Sequence, residues 1–235
     1  MDTQTRHALK QDKLRQAAAS SASWLSVHRT AAIRWGVTLG ALLLLGIASL
    51  VYYDVRSQAA NTALGAALDV YNAPLAQPGA PADSGTYTNS KDRAKAANAK
   101  FLDVEKQFGW MPQGTKAHYF AGITDEDLGQ NAAAETELKA AADSLNRNIA
   151  NLAKLALAGL YRQTSRDAQA IDLYNALAAK PSETVPATVA QLDLADLYAA
   201  TGKQALARAV WAKVKDADKD GAAGSIAAQK LAAKQ

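Results

Sequence analysis

The sequence predicts an all-α chain: a single N-terminal transmembrane helix followed by a solenoid of helical hairpins. Three observations lead there. An uncharged stretch of 19 residues lies between Arg34 and Asp54. After it, alanine is abundant, proline is scarce, and no alternating strand-like run of useful length occurs. Residues 155–177 and 192–214 repeat one another at a shift of 37, without a gap.

Residues 1–34 read as a basic cytoplasmic tail. Arg6, Lys10, Lys13, Arg15, Arg29 and Arg34 stand against Asp2 and Asp12, a net of +4, while the rest of the chain carries 20 basic and 20 acidic residues. Positive charge gathered before an apolar run keeps that end in the cytoplasm, which places the larger C-terminal part on the outer side. The nearest partner for such a tail is anionic lipid of the inner leaflet. No zinc-finger, helix-turn-helix or RNP-like signature accompanies the charge, so nucleic acid is not expected as a partner.

Residues 35–53 form the span. At about 1.5 Å per residue they nearly cross a hydrocarbon core of roughly 30 Å. Trp35 at one end and Tyr52 and Tyr53 at the other suit the headgroup level. Gly36, Gly40 and Gly46 are at home in membrane helices, and Gly36 with Gly40 makes one small-xxx-small step that permits close helix contact. The run exceeds the roughly 7–15 apolar residues of a signal peptide and follows a long leader, which favours an uncleaved anchor. Cleavage at "SQAAN", residues 57–61, is the alternative.

Residues 54–90 read as a membrane-proximal helix, with Leu64, Leu68 and Tyr71 at helical spacing, and then a loop. The run 74–90 holds three prolines and two glycines, and it is either a tether or a loop laid over the first helices. Residues 91–220 follow as a repeat domain punctuated at 109–114, Gly129, 164–165, 180–186 and 201–202, and 221–235 as a C-terminal capping helix or tail.

Within the repeat, Leu157, Ala158 and Tyr161 align with Leu194, Ala195 and Tyr198; Ser165 aligns with Gly202; and Ala170, Tyr174 and Leu177 align with Ala207, Trp211 and Val214. A large-small pair followed by a ring puts one stripe on a first helix. Alanine admits the second helix closely, and a glycine after the first suits a left-handed cap. One such hairpin buries too little alone, so copies must stack. A more worn copy precedes these two, with Gly122 at the small site, Gly129 at the turn, Ala134 and Leu138 on the second helix, but Asp125 where the ring belongs. One further step back reaches Asn98 and Leu102, of which only Leu102 suits the pattern; residues 54–73 would be the partner of that first, degenerate hairpin. In this register Tyr161, Tyr174, Tyr198 and Trp211 are expected to be buried in seams between helices.

The pattern resembles the tetratricopeptide repeat in its large-small pairs, first tyrosines, turn glycine, second-helix alanines and following rings. Tail, span and repeat together, with "RAKAANAKFLDVEKQF" at 93–108 opening the repeat region, resemble the bacterial YfgM-like family of ancillary subunits of the secretion translocon, whose repeat domain is shared with a cell-division coordinator. The N-terminal "HALKQDKLRQ" departs from that family's usual acidic tail. The resemblance implies an inner-membrane protein, single-pass, with its C-terminal domain in the periplasm, associated with secretion channel subunits and a membrane-anchored periplasmic chaperone.

Chemistry-bearing motifs are few. The chain has no cysteine, which excludes disulfides and thiolate metal sites. It has no HExxH, no GxSxG and no phosphate-binding glycine loop. His118 has no sequence neighbour to make a dyad and reads as a surface or groove residue. "DADKDG" at 216–221 matches the first half of a calcium loop, but Ala227 stands at its twelfth position, so it reads as a charged exit from the last hairpin. Trp110 in "GWMP" either plugs a seam or anchors a partner. No enzyme, cofactor or metal is expected. The function expected is a scaffold binding proteins or peptides in a helical-repeat groove, with Trp110 and His118 as the partner surface to test. The alternatives are an envelope or cell-division scaffold and a regulator of a membrane-bound enzyme.

Overall fold

The computed structural model describes residues 29–76 and 85–233. The expectations for residues 1–28 of the tail and for the middle of the 74–90 run lie outside them. The described residues form an all-α fold of nine helices, with one isolated parallel bridge between Leu75 and Tyr87. Two compact units meet in the chain between Arg56 and Ser57.

The first unit carries most of α1 (Arg29–Tyr71). Among the described residues this is the one helix long and apolar enough to cross a membrane, and none of its apolar window is buried inside the protein. Trp35, Leu42, Leu43, Leu44, Leu45, Tyr52 and Tyr53 are all exposed. Thr38 donates its hydroxyl to the Arg34 carbonyl at 2.8 Å, which satisfies that polar group within the helix, as hydrocarbon surroundings would require. A Cβ added at Gly36, Gly40 or Gly46 would meet nothing within 4 Å.

The second unit begins with the last turns of α1 from Ser57. These pack against α2 (Ser90–Phe108), which starts where Asn89 accepts from the Asp92 N–H at 2.8 Å. Three hairpins follow: α3 (Pro112–Asp127) with α4 (Asn131–Ala142), α5 (Arg147–Gln163) with α6 (Asp167–Ala179), and α7 (Ala187–Ala200) with α8 (Gln204–Ala217). The helix α9 (Ala222–Ala232) closes on α8. Pro112 starts α3 at a position where its missing N–H costs nothing. Asn146 caps α5 by accepting from the Asn148 and Ile149 N–H groups.

The turn inside each hairpin is built the same way. Gly129, Ser165 and Gly202 have φ of 75°, 57° and 75°. The next residue donates to the carbonyl five back: Gln130 to Asp125, Arg166 to Tyr161 and Lys203 to Tyr198. This left-handed stop satisfies the last carbonyls of the first helix and turns the chain sharply. Ser165 adopts the conformation in spite of its Cβ.

The same register governs packing. Gly122, Ala158 and Ala195 sit on the first helices, and Ala134, Ala170 and Ala207 on the second, all where side chains must be small. Ala121, Leu157 and Leu194 are buried beside the first set; Leu138, Tyr174 and Trp211 are buried on the facing helices. Gly122 marks a close approach of two helices: a Cβ there would lie 2.6 Å from Leu138 Cγ and 3.2 Å from the Leu138 backbone nitrogen. Gly122→Ala is therefore expected to destabilise by about 1–3 kcal/mol through overpacking. Thermal melts of the variant, with Gly159→Ala as an uncrowded helical control, check this.

Three expectations are corrected. Leu102 is exposed, and its neighbour Phe101 is fully buried instead. The inward stripe of α2 runs Ala94, Ala97, Phe101, Val104, Phe108, and one residue further along a helix turns about 100° away. Phe101 stacks on Phe120 at 5.2 Å, and both rings meet Tyr71 of α1. Tyr161, Tyr174 and Trp211 are buried, but Tyr198 is only half-buried. It borders the core clusters on both sides, with Lys203 Nζ 5.8 Å from the centre of its ring. Trp110 does not plug a seam: it is exposed, and the adjacent Met111 is buried in its place.

Candidate functional site

Among the described residues, three potential metal-ligating side chains converge: Glu105, His118 and Glu137. They lie where α2, α3 and α4 meet, one residue from each helix. Antiparallel packing of α3 on both neighbours brings them together; nothing in the local sequence does. His118 Nδ1 lies 2.7 Å from Glu137 Oε2 and 3.5 Å from Glu105 Oε2. One potential ligand atom from each residue falls within 4.8 Å of the other two. All three side chains are partly shielded from solvent, at 21%, 28% and 16% exposure for His118, Glu105 and Glu137.

Burial pushes the Glu105 carboxyl up; the His118 charge works against that and the neighbouring Glu137 adds to it. The hydrogen bond with Glu137 raises His118, outweighing burial, and both carboxylates add to the rise. Glu105 Oε2 is sealed from solvent and takes no hydrogen bond. A nitrogen and two carboxylates converging in this way can share a proton or hold a cation. His118 therefore has a dyad after all, contrary to the reading of it as a lone residue. Its partners are 13 residues before and 19 after it, a spacing that matches no local motif.

A second polar group sits nearby and is structural. Asn98 Nδ2 of α2 donates to Asp125 Oδ1 at 2.8 Å and lies within hydrogen-bond distance of Thr124 Oγ1 and the Ala121 carbonyl. Asn98 and Asp125 are the two residues that break the repeat pattern in sequence, and they break it together, one supplying the donor for the other. Burial raises the Asp125 carboxyl, with the Asn98 hydrogen bond acting the other way.

Glu135 ties the next seam. It accepts from Tyr161 Oη at 3.2 Å and pairs with Arg166 at 2.6 Å and Lys139 at 2.7 Å. Hydrogen bonds from Lys139 first, then Arg166, lower its carboxyl from 4.5 to about 2. A depressed folded value stabilises above the unfolded value, and that gain is lost as the pH falls from about 4.5 toward 2. Lys139 is more than half exposed, so solvent screens its share. Glu135→Gln is expected to lose part of the wild-type acid sensitivity across that window, as urea melts at stepped pH would show.

Along the first helices runs a polar line. Gln163 of α5 donates to Glu126 of α3 at 2.5 Å. Burial raises Asp193 of α7, which Arg162 offsets and Asp196 reinforces. Asp196 accepts from Trp211 Nε1 at 3.2 Å and from Lys230 of α9 at 2.8 Å, which fastens α9 to the last hairpin. In "DADKDG", Asp218 turns back to cap α9, accepting from the Ala223 and Gly224 N–H groups. That carboxylate is thereby committed to a helix start.

The chain matches no protein-family model, no curated protein and no solved structure.

Proposed function

We propose that the chain is a membrane-anchored scaffold whose tetratricopeptide-like domain binds partner proteins or peptides in the periplasm, beside the secretion channel, and assists the handling of exported proteins. One observation carries the reading. Three successive hairpins repeat the same turn and small-residue positions, and the last two also the ring positions, on a chain that also has a membrane-length apolar helix. Stacked hairpins present a continuous concave face, and such faces bind extended or helical segments. The polar line Glu126, Gln163, Arg162, Asp193 on the first helices offers charge and hydrogen bonds to such a segment.

The positive tail supports a cytoplasmic N-terminus and an exported C-terminal domain. The work proposed is non-enzymatic. Channel subunits and a membrane-anchored periplasmic chaperone are the partners proposed, with anionic lipid at the tail. Quantitative pull-down of tagged full-length protein from mildly solubilised membranes tests this. Channel subunits enriched over a mock control would support it. Division or wall-synthesis proteins in their place would move the scaffold to another machine, and enrichment of neither would sink the secretion assignment.

A further inference from the structure

We propose that Glu105, His118 and Glu137 form a binding site for a divalent transition-metal cation of the zinc type, which pins α2 to α3 and α4. The inference is independent of what the repeat domain binds.

Convergence is the first ground. Three helices each deliver one ligand atom into a space 4.8 Å across. A cation with bonds of about 2.0–2.2 Å to nitrogen and oxygen holds its ligands roughly 3–3.5 Å apart. The 3.5 Å between His118 Nδ1 and Glu105 Oε2 already fits, and the 2.7 Å to Glu137 Oε2 needs to open by under about 1 Å to reach that range.

Charge is the second. Among the described residues, the ion pairs of Glu105 and Glu137 are with His118 and with no lysine or arginine. With both carboxylates ionised, even a protonated imidazole leaves the cluster one negative charge in excess. A divalent cation with neutral imidazole balances two carboxylates in full.

The third ground is the orphaned atom. Glu105 Oε2 is shut off from water, accepts no hydrogen bond, and lies beside His118 Nδ1. A buried carboxylate oxygen without a donor is costly, and a metal bond uses its lone pair. The donor set then selects the metal. One imidazole nitrogen with two carboxylate oxygens suits zinc or a neighbouring first-row ion, whereas calcium and magnesium take oxygen. Partial exposure of all three side chains leaves an entry path.

Binding only to the folded state would stabilise the seam between α2 and the first hairpin. The test uses full-length protein in detergent, stripped with chelator and titrated with Zn2+ by calorimetry. The chain has three histidines, so a His7→Gln/His28→Gln background leaves His118 as its only imidazole. In that background one equivalent of Zn2+ is expected to bind and to raise Tm, and chelator to reverse both. His118→Gln and Glu105→Gln are each expected to weaken binding by at least about tenfold. Should His118→Gln fail to fold by circular dichroism, the near-isosteric Glu105→Gln decides. No saturable equivalent in the background protein, or retained affinity in Glu105→Gln, would overturn the site and leave an imidazolium held between two carboxylates.

Discussion

Tyr174→Ala is expected to cost about 3–5 kcal/mol of unfolding free energy, the range for deleting a fully packed ring. Tyr174 is 1% exposed and sits in the cluster that joins the second hairpin to its neighbours, among Leu157, Tyr161, Leu194 and Leu197. The ring is flanked by fixed helices, so little collapse into the cavity is available. Its hydroxyl is pushed up to about 12, by burial first and then by the Asp193 carboxylate, so it stays neutral at any workable pH. Tyr198→Ala should cost distinctly less, because Tyr198 is only partly buried and loses less on truncation. Urea unfolding of both variants measures the contrast. Equal losses, or a Tyr174 variant as stable as the parent, would contradict the packing register.

Asn98→Ala is expected to destabilise by about 3 kcal/mol, because it leaves the Asp125 carboxylate buried without its donor. Asp125→Ala should cost less. Asn98 Nδ2 would still have Thr124 Oγ1 at 3.1 Å and the Ala121 carbonyl at 3.2 Å. The double variant should cost less than the sum, with a coupling of about 1–3 kcal/mol for two residues in one buried network. The pH dependence has a definite sign. Burial raises the folded Asp125 value above its unfolded one, so the charged form costs stability above the folded value. That cost is relieved as the pH falls through the folded value. Asn98→Ala should therefore approach the parent on acidification. A penalty independent of pH would mean that the carboxylate finds another donor.

Much of this architecture was legible from local pattern. The all-helical character follows from composition and from the lack of alternation. The membrane-length helix follows from 19 uncharged residues with rings at both ends. The break at 164–165 was legible directly, but its left-handed residue was visible only by alignment of Ser165 with Gly202, since serine by itself does not announce one; the positive φ is imposed by the hairpin around it. Leu102 shows how such alignment fails. A shift of 36 assigned it inward, while the stripe of α2 is set by the rings Tyr71 and Phe120 that it must meet.

The candidate site was not legible. Asn98 and Asp125 each looked like wear on a repeat, and Glu105 and Glu137 carried no signal at all. Sequence alone determined what depends on neighbours along the chain: the helices, the breaks, the apolar span and the charge bias before it. Those properties rest on spacings of three or four residues and on composition, which a linear reading samples directly. Tertiary structure decided which polar residues meet. The packing of α3 between α2 and α4 places His118 against two glutamates and Asp125 against Asn98. Such contacts depend on the rotation and offset of whole helices, where one residue of slip turns a side chain by about 100° and exchanges a buried partner for solvent.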